Sequence, residues 1–537
     1  MNPGYDLPEP DSDAPDPWSG FEWQLGESYN IATVALDGTE PDRPALRHVS
    51  VDGEQLTLSY GDLTRAVDAT AAELASIGVG PGDTVGVCLP QCPELLVTHL
   101  AAFERGAVVV PLSMLLGDDS LSYSLKHSGA AALVADEERL ARFDLDLSEI
   151  TVLAVSPTVS DTPLGGLSAH TTLGRNVESC QTAPDDPALI MYTSGTTGKP
   201  KGVVQGHQFL AGSLPGYQAW FEMFSRADMR DARVWTPAEW AWAGALFDVV
   251  FPTLALGGTV VSRERRSGFD PDAALELIEQ ERVTNAFLPP TALGRIKNEG
   301  VVGDYDTASL DTVLCGGEKL PESLHSWAEK TLEITVNESY GQTEANALIG
   351  NCRRAYSARL GSMGRPYPGH DIVLVDEDGT EVPNGEVGEI AVRLPDPVVF
   401  LRYHGDDPAT RAKFDGDLFL TGDLAVRDEA GYLRHQGRKD DLILTSGYRV
   451  SPHEVEAALL SHPDVTDAVV GGVSDDERGQ RITAYVVPSG RVPDAERLRE
   501  HVRDELGAHK VPREIVIVQE IPETRTGKTD RGALFDE

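Results

Sequence analysis

Between Ala188 and Val203 the chain changes character within a few residues, and that change limits what it can fold into. A short apolar run, Ala188-Leu189-Ile190-Met191, leads into Tyr192-Thr193-Ser194-Gly195-Thr196-Thr197-Gly198-Lys199-Pro200-Lys201-Gly202-Val203. The apolar run predicts a buried strand, and the residues after it predict a loop able to wrap phosphate. Glycine lacks a Cβ, so the backbone can turn with positive φ and bring its N–H groups close to an anion. The hydroxyls add donors, and the lysines add charge without demanding one geometry. Lys199 is followed by Pro200, where a Walker A loop has Ser or Thr. Pro200 also prevents a helix from starting at once, so the expected anion site is a loop and not a helix N-terminus. Taken alone, Gly195-Thr196-Thr197-Gly198 reads as a flexible polar turn.

The rest of the chain alternates helical and strand patterns, which predicts an α/β fold with substantial parallel sheet. Residues 271–281 read as an amphipathic helix and 283–288 as a buried strand ending at Pro289-Pro290. Farther on, 482–487 and 514–521 read as strands and 494–506 as a helix. With 537 residues the chain should hold several core-forming units, at roughly 150 residues per domain.

Charge and cysteine content exclude several classes of function. The formal net charge is −41, a surface that repels nucleic acid and anionic membrane. No stretch approaches the ~18–20 unbroken apolar residues of a membrane span. The acidic, proline-rich start lacks the basic and apolar regions of a signal peptide. Cys88, Cys92, Cys180, Cys315 and Cys352 are odd in number and have no paired metal spacing, which argues for core thiols in a reducing cytoplasm. Only ten of the 45 basic residues are lysine. Acidic excess with few lysines is the surface expected of a halophilic protein, whose self-repulsion is screened by concentrated salt.

Further motifs follow the glycine-rich run in order: Asn337-Glu338-Ser339-Tyr340-Gly341-Gln342-Thr343-Glu344, Thr421-Gly422-Asp423, Gly437-Arg438-Lys439-Asp440-Asp441, Ser446-Gly447-Tyr448-Arg449 and Thr526-Gly527-Lys528. This ordered set resembles the adenylate-forming superfamily, and most of all its medium-chain acyl-CoA synthetases. The resemblance implies a large N-terminal α/β domain with several sheets, residues 1–436, which binds AMP and the acyl group. It also implies a small mobile α+β lid, residues 437–537, hinged near Asp440. The activity implied is an AMP-forming acid–CoA ligase using ATP, Mg2+ and coenzyme A, and a homodimer is compatible with it.

The same resemblance assigns roles. Thr193, Ser194, Gly195, Thr196, Thr197, Gly198 and Lys199 would cradle phosphate, and Thr193 and Glu344 would contact the metal. Tyr340 would stack on adenine, with Gly316, Gly317 and Glu318 lining its other side and Gly341, Gln342 and Thr343 completing the nucleotide segment. Asp423 would take the ribose hydroxyls, with Arg438 nearby. Lys528 would meet the carboxylate and α-phosphate during adenylation, so Lys528, Lys199 and Arg449 form the catalytic set. Ser446, Gly447 and Tyr448 would border the pantetheine tunnel, the lesser reading of Gly447 being a plain turn glycine.

Acid selectivity is carried by fewer residues. Trp240 and Trp242 fall where the family builds its acyl pocket, and core packing explains them as well. Gly341 stands where acetate-selective relatives have a tryptophan, which leaves room for a longer or branched acid. His207 either borders the pocket or is a satisfied core histidine. A carrier-loading adenylation enzyme is the alternative ligase, disfavoured because no carrier-like Gly-x-Asp-Ser pattern follows Lys528. A non-catalytic nucleotide-binding protein on the same fold is the rival of another class.

Overall fold

The computed structural model describes all residues except 1–3, 6, 8, 13, 15, 144–145, 157–178, 194–199, 265–267, 319, 446–447, 476–478, 523–528 and 536–537. The chain forms two compact units, Met1–Asp371 with Arg393–Phe419, and Ile372–Val392 with Leu420–Glu537.

Two large sheets organise the first unit. Among the described residues one has seven strands, in the order Arg402–Tyr403, Lys201–Gly206, Pro187–Thr193, Val108–Pro111, Thr84–Cys88, Ala132–Asp136 and Thr151–Val155. Its middle is parallel, and Thr84–Cys88 and Val108–Pro111 are buried along their whole length. Such unbroken apolar strands are what a sheet covered on both faces requires. The strand expected before the glycine-rich loop is present as Pro187–Thr193. The chain returns after Pro200 as the antiparallel strand Lys201–Gly206, not as a helix, with Thr193 opposite Lys201.

The second sheet has nine strands among the described residues, and its parallel centre includes Arg233–Trp235, Asn285–Phe287, Thr312–Gly316 and Thr335–Tyr340. Helix Pro271–Glu281 packs Leu275, Leu277 and Ile278 against this sheet. It begins with an Asp270 side-chain cap followed by Pro271, and ends at Arg282 in the left-handed region, φ 53°. The neighbouring strand is shorter than its apolar run: only Asn285–Phe287 pairs, because Pro289-Pro290 starts the next helix, Pro290–Glu299.

In the second unit, Asp423–Arg427 of strand Leu418–Arg427 pairs antiparallel with strand Leu433–Arg438. The C-terminal sheet is built on Val465–Asp475 and Gly479–Pro488, flanked by Ile443–Thr445 and Glu514–Ile517. Helices Pro452–Leu460 and Ala495–Leu506 cover it, through Val455, Leu459, Leu498 and Val502. Strand Glu514–Ile517 stops four residues short of its apolar run, its ladder with Gly479–Pro488 closing at the Val486–Ile517 pair. The boundary expected at 436/437 falls inside strand Leu433–Arg438.

All five cysteines are free, and four are buried. Burial pushes the Cys88 thiol up to about 12, so it is an inert core group. Among the described residues no helix is long and apolar enough to cross a membrane.

Candidate active site

The parallel strands of the nine-stranded sheet end along one edge. Register places Trp235 opposite Ala286, Phe287 opposite Leu314, and Gly316 opposite Ser339. The segments that leave this edge are therefore the tryptophan-rich stretch after Trp235, the Gly316-Gly317-Glu318 turn, and the run from Tyr340 to Glu344. Ligands of parallel α/β sheets bind outside the carboxyl ends of strands. Three of the motifs read from the sequence thus share one edge although they span more than a hundred residues of chain.

A second set of contacts joins this edge to the phosphate-loop hairpin. Gln205, fully buried on strand Lys201–Gly206, donates its amide to the Thr343 carbonyl at 2.6 Å. Tyr403, which pairs with Val203, donates its hydroxyl to Glu344 Oε1 at 2.6 Å. The Phe400 N–H reaches the Glu344 carbonyl at 2.7 Å, and Ala345 bridges to Val399. The Lys201 ammonium stands 5.1 Å from the Tyr403 ring centroid, a cation–π distance. Glu344 and Lys201 are therefore held by the same tyrosine.

The foot of the hairpin is fixed by a small aromatic cluster. Tyr192 and His127 Nδ1 are 2.9 Å apart, and His404 Nε2 lies 3.1 Å from the His127 carbonyl. Tyr123 stacks on His127 and donates to the Pro200 carbonyl at 3.3 Å. Burial, and then the neighbouring His404, pull the His127 pKa down, so its ring is a neutral hydrogen-bonding group.

Residues 194–199, which include Ser194, Gly195, Thr196, Thr197, Gly198 and Lys199, lie outside the described residues, as do Ser446, Gly447 and Lys528. Thr193 closes its strand beside that loop. Gly317 adopts φ 82° with open space around it. The Tyr340 hydroxyl accepts from Gln342 Nε2 at 3.3 Å. Among the described residues no three His, Cys, Asp or Glu side chains converge to hold a metal.

The acyl-side residues part company. Trp240 is buried and Trp242 is 37% exposed. His207 is fully buried; its Nδ1 accepts from the Ile31 N–H at 3.2 Å and its ring packs edge-on against Phe103. It is enclosed in the core, and its Nε2 has no hydrogen-bond partner among the described residues. A Cβ at Gly341 would lie 2.7 Å from the Ala347 nitrogen and 3.0 Å from two backbone atoms of Asn346. Glycine at 341 is thus required by a close backbone approach, whatever it leaves open to a ligand.

In the second unit, Asp423 is buried and lies directly opposite Arg438 across the strand pair. His435 Nε2 is 3.5 Å from Asp423 Oδ1. Glu389 accepts from the Gly422 N–H at 2.9 Å with one oxygen and from Lys439 Nζ at 2.7 Å with the other. Asp440 follows Lys439 in an exposed turn. Gly437 has φ 106°, and a Cβ there would strike the His453 ring at 2.7 Å. Backbone pairing matches Leu444 with Arg449 and Thr445 with Tyr448. Tyr448 is 54% exposed, its ring 4.9 Å from His509.

Gln205, Tyr403 and Glu389 were not among the residues read from the sequence. None belongs to a glycine-rich or charged motif, and each acts by reaching a motif that is remote in sequence.

A family model described as AMP-binding enzyme matches residues 35–404, and another, AMP-binding enzyme C-terminal domain, matches residues 454–528. The chain belongs to the AMP-binding enzyme family. Acyl-coenzyme A synthetase ACSM4, mitochondrial, of Rattus norvegicus is 33% identical to this AMP-binding enzyme, covering 96% of this chain and 92% of that one. The uncharacterized acyl–CoA ligase YtcI of Bacillus subtilis (strain 168) is 31% identical, covering 92% of each. Among solved structures, ATP-bound MatB from Rhodopseudomonas palustris superposes with a TM-score of 0.83 at 27% identity, over 94% of this AMP-binding enzyme and 98% of MatB.

Proposed function

We propose that this chain is an AMP-forming acid–CoA ligase that activates a medium-chain or short branched fatty acid. The acid's carboxylate oxygen attacks the α-phosphorus of ATP, pyrophosphate leaves, and the thiol of coenzyme A then attacks the acyl-adenylate carbonyl, releasing AMP. Both reactants of the first step are anionic, so their charge has to be met by fixed cations and donors. The observation that carries this reading is the Tyr403 junction, which sets Glu344 and Lys201 together beside the end of strand Pro187–Thr193. Glu344, with Thr193 and phosphate oxygens, would hold a magnesium ion, which neutralises phosphate charge when bound.

Within this reading Tyr340 faces the adenine, and Asp423 offers two acceptors to the ribose hydroxyls beside Arg438. Lys528 supplies the amine at the reacting phosphate, aided by Lys199. Asp440 is the pivot of a lid formed by residues 437–537, which exchanges the lysine for the segment from Ser446 to Arg449. Lid steps of this kind often limit turnover. The enzyme works in the cytoplasm on three small molecules, and a homodimer is compatible with this.

Pyrophosphate release and acyl-CoA formation test the proposal, measured in high salt with magnesium and acids from acetate to decanoate plus benzoate. Both products with a medium-chain acid are expected. Pyrophosphate without acyl-CoA would favour carrier loading, and nucleotide binding without pyrophosphate would leave only a nucleotide-binding protein.

A further inference from the structure

The acyl side of the site holds a carboxyl group that an alkyl tail does not account for. Asp248 lies in a π-helical turn, Leu246–Val250, set between the helical turns Ala243–Ala245 and Phe251–Ala255. Turns of this kind are rare and concentrate at functional sites. Its sequence neighbours Phe247 and Val249 are fully buried, whereas Asp248 keeps partial solvent exposure. Burial nevertheless raises its carboxyl to about 7. Asp248 is thus a crowded carboxyl that keeps some contact with solvent.

Several of its neighbours belong to the edge already described. Asn346 Nδ2 donates to Asp248 Oδ1 at 2.5 Å and lies 3.5 Å from Ser213 Oγ. Oδ2 is 3.2 Å from the point where a Gly244 Cβ would stand, and the Phe287 ring reaches within 3.1 Å of that same point. Gly244 has no side chain, so it adds no cover over Oδ2 there. Trp242, two residues earlier, caps the helical run and is exposed. Asn346 is also the residue whose backbone Gly341 approaches.

An alkyl tail laid against this carboxyl would strip its water and give nothing back, an unfavourable arrangement for any buried polar group. A tail bearing a donor removes the penalty. We propose that the acid taken by this enzyme carries an amino or hydroxyl group on its tail, and that Asp248 accepts a hydrogen bond from it while Asn346 holds the carboxylate in place. The inference rests on the acid–CoA ligase reading and narrows its substrate class.

The test compares kcat/KM for butanoate, hexanoate, octanoate and benzoate with their ω-hydroxy, ω-amino or ring-amino counterparts, in the wild type and in Asp248→Asn and Asp248→Leu. The wild type should prefer at least one donor-bearing acid over its plain counterpart by about tenfold or more, since an unpaired buried acceptor is costly. Asp248→Leu should reverse that preference, and Asp248→Asn should reduce it. If a variant does not fold, the wild-type comparison alone decides. Plain acids used as well as or better than every donor-bearing partner would overturn the inference while leaving the ligase reading intact. A wild-type preference unchanged in Asp248→Leu would overturn the assignment to Asp248. Pyrophosphate release with no acid at all would overturn both.

Discussion

Tyr403 donates its hydroxyl to Glu344 Oε1 at 2.6 Å while its ring face carries the Lys201 ammonium at 5.1 Å. One side chain thus fixes an anion and a cation on neighbouring segments. Tyr403→Phe keeps the ring and removes only the hydroxyl. A hydrogen bond to a charged group is worth about 1.5–3 kcal/mol, so adenylation should slow by roughly one to two orders of magnitude. Pyrophosphate release over a magnesium titration measures it, and the magnesium requirement should rise. An unchanged profile would show that Glu344 needs no such support.

Lys528 is assigned to the first half-reaction only. Its replacement by alanine should cost adenylation about 2.7–4 kcal/mol, the usual loss for one preorganised charge-stabilising donor. Preformed acyl-adenylate should still give acyl-CoA. Equal loss of both steps refutes the assignment.

Gly341 offers a separation of fit from selectivity. In Gly341→Ala the new Cβ meets backbone at 2.7 Å, and backbone cannot swing away as a flexible side chain can. Overpacking of this kind costs about 1–3 kcal/mol. A lowered melting temperature is expected even without any acid present. A melting temperature equal to that of the wild type would show that the 346–347 backbone yields easily.

Glu104 gives the chain a pH-dependent term. Burial, reinforced by Asp68, raises its carboxyl from the usual 4.5 to about 7. The folded state therefore binds more protons than the unfolded state between these values, so stability falls as pH rises from 4.5 toward 7 and levels off above that. Glu104→Gln should flatten this part of a stability–pH curve. Chemical denaturation from pH 4.5 to 8 provides the measurement, and Asp248, raised to about 7 by burial, contributes in the same direction.

The net charge of −41 predicts dependence on salt. At low ionic strength the screening length grows to roughly 30 Å, and repulsion among the carboxylates acts across much of the molecule. Dialysis from molar salt should unfold or inactivate the protein. Full retention of structure and turnover in dilute buffer would contradict a halophilic origin.

Much of this architecture was legible because local chemistry specifies it. Helix Pro271–Glu281 carries its own start in Asp270 and Pro271 and an apolar face for the sheet. The strand before the phosphate loop is a plain apolar run, and Pro200 prescribed a return without a helix. Strand lengths were less legible: Asn285–Phe287 and Glu514–Ile517 leave their ladders before their apolar runs end, and no residue within them says so. The site's motifs could be read in order along the chain, but their connections could not. Gln205 and Tyr403 look like ordinary strand residues until the fold sets them against Thr343 and Glu344. His207 and Gly341 show the reverse, since a position beside a motif did not reveal whether core packing or an open pocket governs it.

The double contact of Glu389 bears on how any swing about Asp440 must be distributed. Lys439 is gripped at its ammonium by Glu389 and at its N–H by the Gly422 carbonyl, 2.8 Å away. At the pivot proposed for Asp440, rotation would start from a fixed abutment, so that torsion would not leak backward into the strand that presents Arg438 to Asp423. The Asp423–Arg438 pair, proposed to hold the ribose, would then stay in register while the residues downstream change direction. A defect at Glu389 would blur that division of labour, loosening nucleotide grip and pivot by the same stroke.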